Sequence, residues 1–340
     1  MVLRATLGRW AARRPHVLLV DSPGHAPGRL AAERWCRGSG AVLADSPADA
    51  DILVVAGPVD GVLAIAVDEL WRQMPGPRIR VDLDADEDVA AQMDTARSAL
   101  ADPAHEDRGD EWDEGSDPHT GHDMGDDGDP HAGHDMGDMQ MPAGLEMADR
   151  AEDRDGLKLD FVPFALGPVL PGWSTGLVVD VVLQGDVVQE ATARPFTVTQ
   201  ESFWHSQPKA ARFDCAARLL TVLDWPGATD RAAAVRDRLL DSGHDATATA
   251  WADRLRRHVA RSRLVRADLA GLAVVDRNDA LGRLLSWLMI EGDQLPFAGS
   301  IDEGLRAIEG LEFSAARLAL ASLPIDLGSE VTAPTDGHRP

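Results

Sequence analysis

At 340 residues the chain is long enough for two domains, each with its own core. Hydrophobic residues make up 44% of it and charged residues 26%, the ordinary balance of a soluble globular protein. A formal charge of −24 argues against nucleic acid or an anionic membrane as a direct partner, and two cysteines, Cys36 and Cys215, exclude both a four-cysteine metal or cluster site and a secreted disulfide scaffold.

The opening, MVLRATLGRWAARRPHVLLV, is basic but has no long apolar segment before Pro15, so no secretory leader is expected. A reducing cytosol is the simplest compartment. The next hundred residues alternate strand and helix signals. HVLLVDSP (16–23) is a short apolar run ending in a turn, GRLAAERWC (28–36) has helical spacing, and AVLADSP (41–47) reads as a second short strand. ADILVVAGP (50–58) is continuously apolar, the mark of a strand covered on both faces. VLAIAVDELWRQM (62–74) places Leu63, Ala66, Val67, Leu70 and Met74 on one stripe, Pro75 stops that helix, and RIRVDL (78–83) returns as a strand. DEDVAAQMDTARSALAD (86–102) is a further helix. Residues 1–102 are therefore expected to form a small α/β domain with a mostly parallel sheet.

Residues 103–155 break the pattern. They are rich in Asp, Gly, His and Met and almost empty of branched apolar side chains, too little to offset the entropy of ordering, so they read as a disordered linker. Between residues 102 and 138 there are fourteen Asp and Glu against one Arg, a net of −13. Within it DPHTGHDMGD (117–126) recurs as DPHAGHDMGD (129–138). The H-x-x-H pairs His119/His122 and His131/His134, with Met124 and Met136, are donors that suit copper or nickel, because imidazole binds both and thioether binds copper(I). The repeat is read first as an expanded acidic linker. Weak copper or nickel binding there is the alternative.

The second domain, 156–330, opens with alternating apolar and polar residues either side of Gly185-Asp186, a hairpin signal: LVVDVVLQ, GD, VVQEATA. From about Pro208 the chain turns helical: AARFDCAARLLTVL, DRAAAVRDRLLDSG, a long helix from Ala246 to about Val275, another from Asn278-Asp279, then IDEGLRAIEGL and SAARLALASL. This half is expected to be α+β, an antiparallel hairpin followed by a helical bundle, with residues 331–340 a disordered tail. LLSWLMI (284–290) is too short to cross a bilayer, so no direct membrane insertion is expected.

The stretch ADILVVAGPV (50–59) followed by QMPGPRIRVDL (73–83) resembles the small iron–sulfur subunit of respiratory complex I (NADH–quinone oxidoreductase) and of membrane-bound nickel–iron hydrogenases, over roughly residues 15 to 85. The run GPVLPGWSTG (167–176), LVVDVVLQ (177–184), GDVV (185–188), followed by AARLLTVL (216–223), resembles the start of the partner large subunit, which carries the quinone site or the hydrogenase centre. The resemblance implies two fused subunit-like halves packed against each other. It also implies membrane partners, antiporter-like subunits that move ions, and a cytoplasmic position on the inner face of the membrane.

The residues deny the chemistry that the resemblance implies. The loops in which the small-subunit family brings its cysteines are here DSPGHAPG (21–28), with Asp21 and His25, and DLDADED (82–88), with Asp82. Neither holds a thiol, and Cys36 is one ligand at most, whereas a four-iron cluster needs four. Where the large-subunit family has its quinone-site histidine the chain has Leu170, and it contains no tyrosine. The expectation is a non-catalytic, cluster-less subunit without a cofactor. Two other readings compete: a copper- or nickel-handling protein built on the repeat, and an independent enzyme using loop 21–29. That loop lacks the G-K-[S/T] ending of a phosphate loop and is not G-x-G-x-x-G. The basic run DRLRRHVARSRLVR (253–266) reads as a solvated face or as a docking face for an acidic partner or the acidic linker, and Trp173, Trp204, Trp225, Trp251 and Trp287 as core or interface residues.

Overall fold

A computed structural model describes residues 12–83, 88–102, 150–152, 158–194, 203–292 and 301–323. The repeat, with His119, His122, Met124, His131, His134 and Met136, lies outside them.

The first half is a three-layer α/β/α unit. Its four strands, β1 (His16–Asp21), β2 (Val42–Leu43), β3 (Ile52–Ala56) and β4 (Ile79–Leu83), are all parallel, in the order β2-β1-β3-β4. The helices between and after them are α1 (Ala26–Ser39), α2 (Gly61–Gln73) and α3 (Val89–Leu100). The strand pleat sorts the side chains by parity. Val17, Ile52, Val54 and Ala56 face one side, where they meet Ala32, Trp35 and Cys36 of α1 and Met93, Ala96 and Leu100 of α3. Leu18, Val20, Leu53 and Val55 face the other, where they meet Leu63, Val67 and Met74 of the second helix. The fully apolar β3 is thus buried on both faces, as its sequence requires. The strand expected at 41–47 is only two residues long: the chain bends at Asp45 and Ser46 and enters a short 3-10 turn, Pro47–Asp49.

The second half is α+β. Strands β5 (Arg150–Glu152), β6 (Lys158–Leu166), β7 (Val179–Gln184) and β8 (Val187–Ala193) form an antiparallel sheet in chain order. The hairpin turns at Gly185-Asp186, where it was expected. Strand β5 falls inside the span read from composition as linker: three residues suffice to pair with a neighbour whose own sequence carries the strand signal. The helices are α4 (Pro208–Val222), α5 (Pro226–Ser242), α6 (Ala246–Arg261), α7 (Arg263–Leu269), α8 (Ala280–Trp287), α9 (Ile301–Ile308) and α10 (Phe313–Ala321). Helices α9 and α10 cover one face of the sheet, Ile308, Ala316, Ala319 and Leu320 meeting Leu166, Val179, Val181 and Val188. The loop between them also covers the edge of β8, through Val188 N–H to Leu311 O at 2.9 Å and Gly310 N–H to Val188 O at 2.8 Å, a protection that exposed edge strands need.

The long helix expected from Ala246 to about Val275 is two helices. Ser262 takes an extended conformation, and its hydroxyl accepts from Val265 N–H at 3.3 Å, capping α7. After Leu269 the chain reverses through residues at positive φ, including Ala273, Asp276 and Arg277. The reversal is held by Arg283, buried in α8, which donates to the carbonyls of Ala273, Asn278 and Ser322, each at 2.8 Å. Burial pulls the Arg283 guanidinium down to about 10, still charged at neutral pH. Of the tryptophans, Trp173, Trp204 and Trp287 are buried and Trp251 is 46% exposed. Among the described residues no helix is long and apolar enough to cross a membrane.

Candidate functional site

In this parallel sheet of order 2-1-3-4 the helix after β1 packs on one face and the helix after β3 on the other, so a crevice opens beyond the carboxyl ends of β1 and β3. Sheets of this kind commonly bind their ligands at such a point. Here the crevice is bordered by Asp21 and Ser22 after β1 and by Gly57 after β3. Ser22 N–H bonds Ala56 O at 2.9 Å and Gly57 N–H bonds Leu83 O at 3.1 Å, so the two loops hug the strand ends. His25, the residue before α1, lays its imidazole over Gly57. A side chain at Gly57, which has φ +91, would put its Cβ 2.3 Å from His25 Cγ, so only glycine fits beneath the ring.

The crevice is met by the second half of the chain. The loop 167–176 runs from β6 to β7, and Thr175 Oγ1 donates to Asp21 Oδ2 at 3.0 Å. Val169 packs against the Leu18–Leu53 face of the first sheet. On its other side the loop rests on α4: Gly172, at φ +71, lies so close that a Cβ there would be 2.5 Å from Arg218 O. Trp173 anchors the loop internally, its indole N–H donating to Leu177 O at 2.7 Å. Leu170 turns into the apolar cluster between the antiparallel sheet and α10.

Beside this loop lies a buried ion network. Helix α1 presents Arg29, Glu33 and Arg37 at four-residue spacing. Across from it, α4 presents Asp214 and Arg218, and α5 presents Arg236 and Asp237. Arg29 reaches three carboxylates: Asp21 at 3.1 Å, Glu33 at 2.6 Å and Asp214 at 2.9 Å. Its Nε faces Asp21 at ion-pair distance without the alignment of a hydrogen bond. Arg236 likewise reaches Asp214 at 2.7 Å, Glu33 at 2.7 Å and Asp237 at 3.0 Å. Arg218 adds a third cation to Asp214, at 3.2 Å. Arg37 pairs with Asp237, and Arg34 with Asp241 at 2.9 Å nearer solvent. Arg236 is 1% exposed and Asp214 2%. Around this network the apolar seam is continuous, since Ala26 and Leu30 of α1 belong to the same core as Phe213, Leu219 and Val235.

The electrostatics follow from this balance. Burial pushes the Asp214 carboxyl up, but Arg29, Arg218 and Arg236 outweigh it and hold the group well below the usual carboxylate range. Burial likewise opposes ionisation of Glu33, and Arg236 and Arg29 again prevail, so its carboxyl is lowered too. Arg29 and Arg236 are correspondingly raised: the carboxylates around them overcome the desolvation. Asp214, Glu33, Arg29 and Arg236 are thus each held in the charged form, and none of the four is poised as a general acid or base at neutral pH.

An iron–sulfur cluster does not fit these residues. The groups facing the crevice are the Asp21 carboxylate, already engaged by Arg29 and Thr175, with Ser22 and His25, and none is a thiolate. Cys36 points away, into the core between α1 and the sheet, where burial, reinforced by Glu33, pushes its thiol up to about 12. Asp82 is turned outward and paired to Arg80 at 2.8 Å. Of the residues singled out from sequence, Asp21 and His25 come together at the crevice, whereas Asp82 and Leu170 do not face it. Among the described residues no group of three or more His, Cys, Asp or Glu is arranged to hold a metal ion.

Sequence reasoning missed the network itself. Its one legible signal was Asp214, the lone carboxylate of α4, set between apolar residues in AARFDCAARLL. The Arg29–Glu33–Arg37 spacing, by contrast, is what a solvated helix face also shows. Comparison with protein-family profiles, with curated proteins and with solved structures finds no match for the chain.

Proposed function

We propose that the chain is a cluster-less, non-redox subunit of the peripheral arm of a complex I-like or hydrogenase-like ion-translocating membrane assembly, in which it has a structural or coupling role. The observation that carries this reading is the junction just described. The half that resembles the small subunit and the half that resembles the large subunit are locked together by buried ion pairs, and loop 167–176 of the latter closes the crevice of the former. In the families of the resemblance the small subunit carries the iron–sulfur cluster and the large subunit the quinone site or the hydrogenase centre, and here the two halves that resemble them meet at this place. In this chain the same place is built from fixed charges and apolar contacts, which suit the transmission of position and not of electrons. The membrane partners would be antiporter-like subunits, and the location the cytoplasmic face of the membrane.

The test is to purify the tagged chain from gently solubilised membranes of its native cell. Multi-pass ion-translocating subunits in stoichiometric yield are the expected result; recovery of the chain alone from the soluble fraction would refute the assembly. Anaerobic reconstitution with iron and sulfide tests the other half of the proposal. The purified protein should take up no stoichiometric iron and show no reducible cluster signal by electron paramagnetic resonance, because two buried cysteines on separate cores cannot supply four thiolates. A reducible cluster would end the non-redox reading while leaving the assembly open.

A further inference from the structure

Helices α6 and α7 carry a cationic surface that the junction does not use. Arg254, Arg257 and Arg261 recur at helical spacing on the side of α6 opposite its buried residues Ala252, Leu255 and Val259, and Arg256, Arg263 and Arg266 flank them. All six are exposed, and none makes an ion pair among the described residues. Asp253 and Asp268 are the acidic residues within this span. Two apolar side chains stand exposed among the arginines, Leu264 at 77% and Trp251 at 46%. In a chain of net charge −24, six exposed guanidiniums without a carboxylate partner among the described residues, close together along α6 and α7, are a local inversion of the field.

We propose that this face is the docking surface for the chain's own acidic segment, residues 106–138. The argument is charge and tether. The segment is the chain's densest block of negative charge: residues 102–138 hold fourteen carboxylates and one Arg. Its ends are joined to Asp102, after α3, and to β5, so its docking is intramolecular and set by an effective concentration, not by the protein's own concentration. Fifteen residues from Asp102 to Asp117 span up to roughly 50 Å at about 3.3 Å each, comparable with the full width of a compact chain whose radius of gyration is roughly 20 Å, so the centre of the segment can arrive at this face. A free anionic surface must compete with that tethered segment. Docking would shield the arginines.

Distance measurement in the full chain tests this. Cys36 and Cys215 are buried, so spin labels can be placed selectively through Ser116→Cys and Ala267→Cys. Pulsed electron resonance should show a short-distance population at low salt. That population should be lost at about 1 M salt, where the Debye length is about 3 Å, and lost in the charge reversal Arg254→Glu/Arg257→Glu/Arg261→Glu. A distribution equally broad at both salts would overturn the proposal, and this arm needs no variant of the face to fold. Sedimentation of the full chain with phosphatidylserine vesicles, abolished by the same reversal, would also overturn it, by assigning the face to a lipid surface.

Discussion

Replacing Asp214 by Ala is expected to destabilise the protein by about 3–5 kcal/mol, the cost of removing one partner from a buried charge network. Three guanidiniums, Arg29, Arg218 and Arg236, converge on this carboxylate. Its loss leaves an excess of positive charge at a place that water cannot reach. Asp214→Asn, which keeps the shape and part of the hydrogen bonding, should fall between the two. Urea unfolding checks both, and an Asp214→Ala midpoint within error of wild type would show that the network contributes nothing to stability. The same residues set an acid limit. The folded-state values of Asp214 and Glu33 are depressed, so their stabilisation is fully present above the unfolded carboxylate range of about 4. It is lost as pH falls through the lower folded values. Stability should therefore decline below about pH 4, and the decline should be shallower in Asp214→Asn, which has one depressed carboxylate fewer.

The second large effect is expected at Gly172. Alanine there meets two obstacles. The residue must hold φ +71, in the left-handed region, and its Cβ would lie 2.5 Å from Arg218 O and 2.8 Å from Val222 Cγ2. The first costs on the order of 1–3 kcal/mol, and crowding against backbone costs about as much again. Because the obstacle on α4 is main chain, the loop itself must move, and Thr175 would be drawn away from Asp21. Gly172→Ala should therefore lower stability by about 2–5 kcal/mol. It should also raise amide hydrogen exchange in loop 167–176 and in the turn at Ser22, on the other side of the junction. Exchange confined to the loop would mean that the loop does not brace the crevice.

Some of this architecture was legible in the chain. ILVVA at 52–56, short, β-branched and closed by Gly57-Pro58, read as a strand buried on both faces, and the stripe Leu63–Val67–Leu70 as a helix against it. Gly185-Asp186 between alternating runs specified the hairpin in the same local way. The helix break at Ser262 was not legible: arginine and alanine propensities are continuous across it, and the serine cap wins only because Val259, Val265 and Leu269 must all turn into one core.

The division between what the sequence by itself determined and what the tertiary structure decided follows the range of the forces. Two cysteines leave the chain's own residues short of the four thiolates that a four-iron cluster needs, since ligand counts need no geometry. Local periodicity determined the α/β and α+β halves. Only the tertiary structure decided which charges meet where the two halves join. Arg29 and Asp214 lie 185 positions apart, and Asp21 and Thr175 lie 154 apart. Charge pairing carries no periodicity and no direction along the chain, so an arginine reads the same in sequence whether it faces water or a carboxylate from another helix. Burial makes the difference, and burial is a property of the packed molecule.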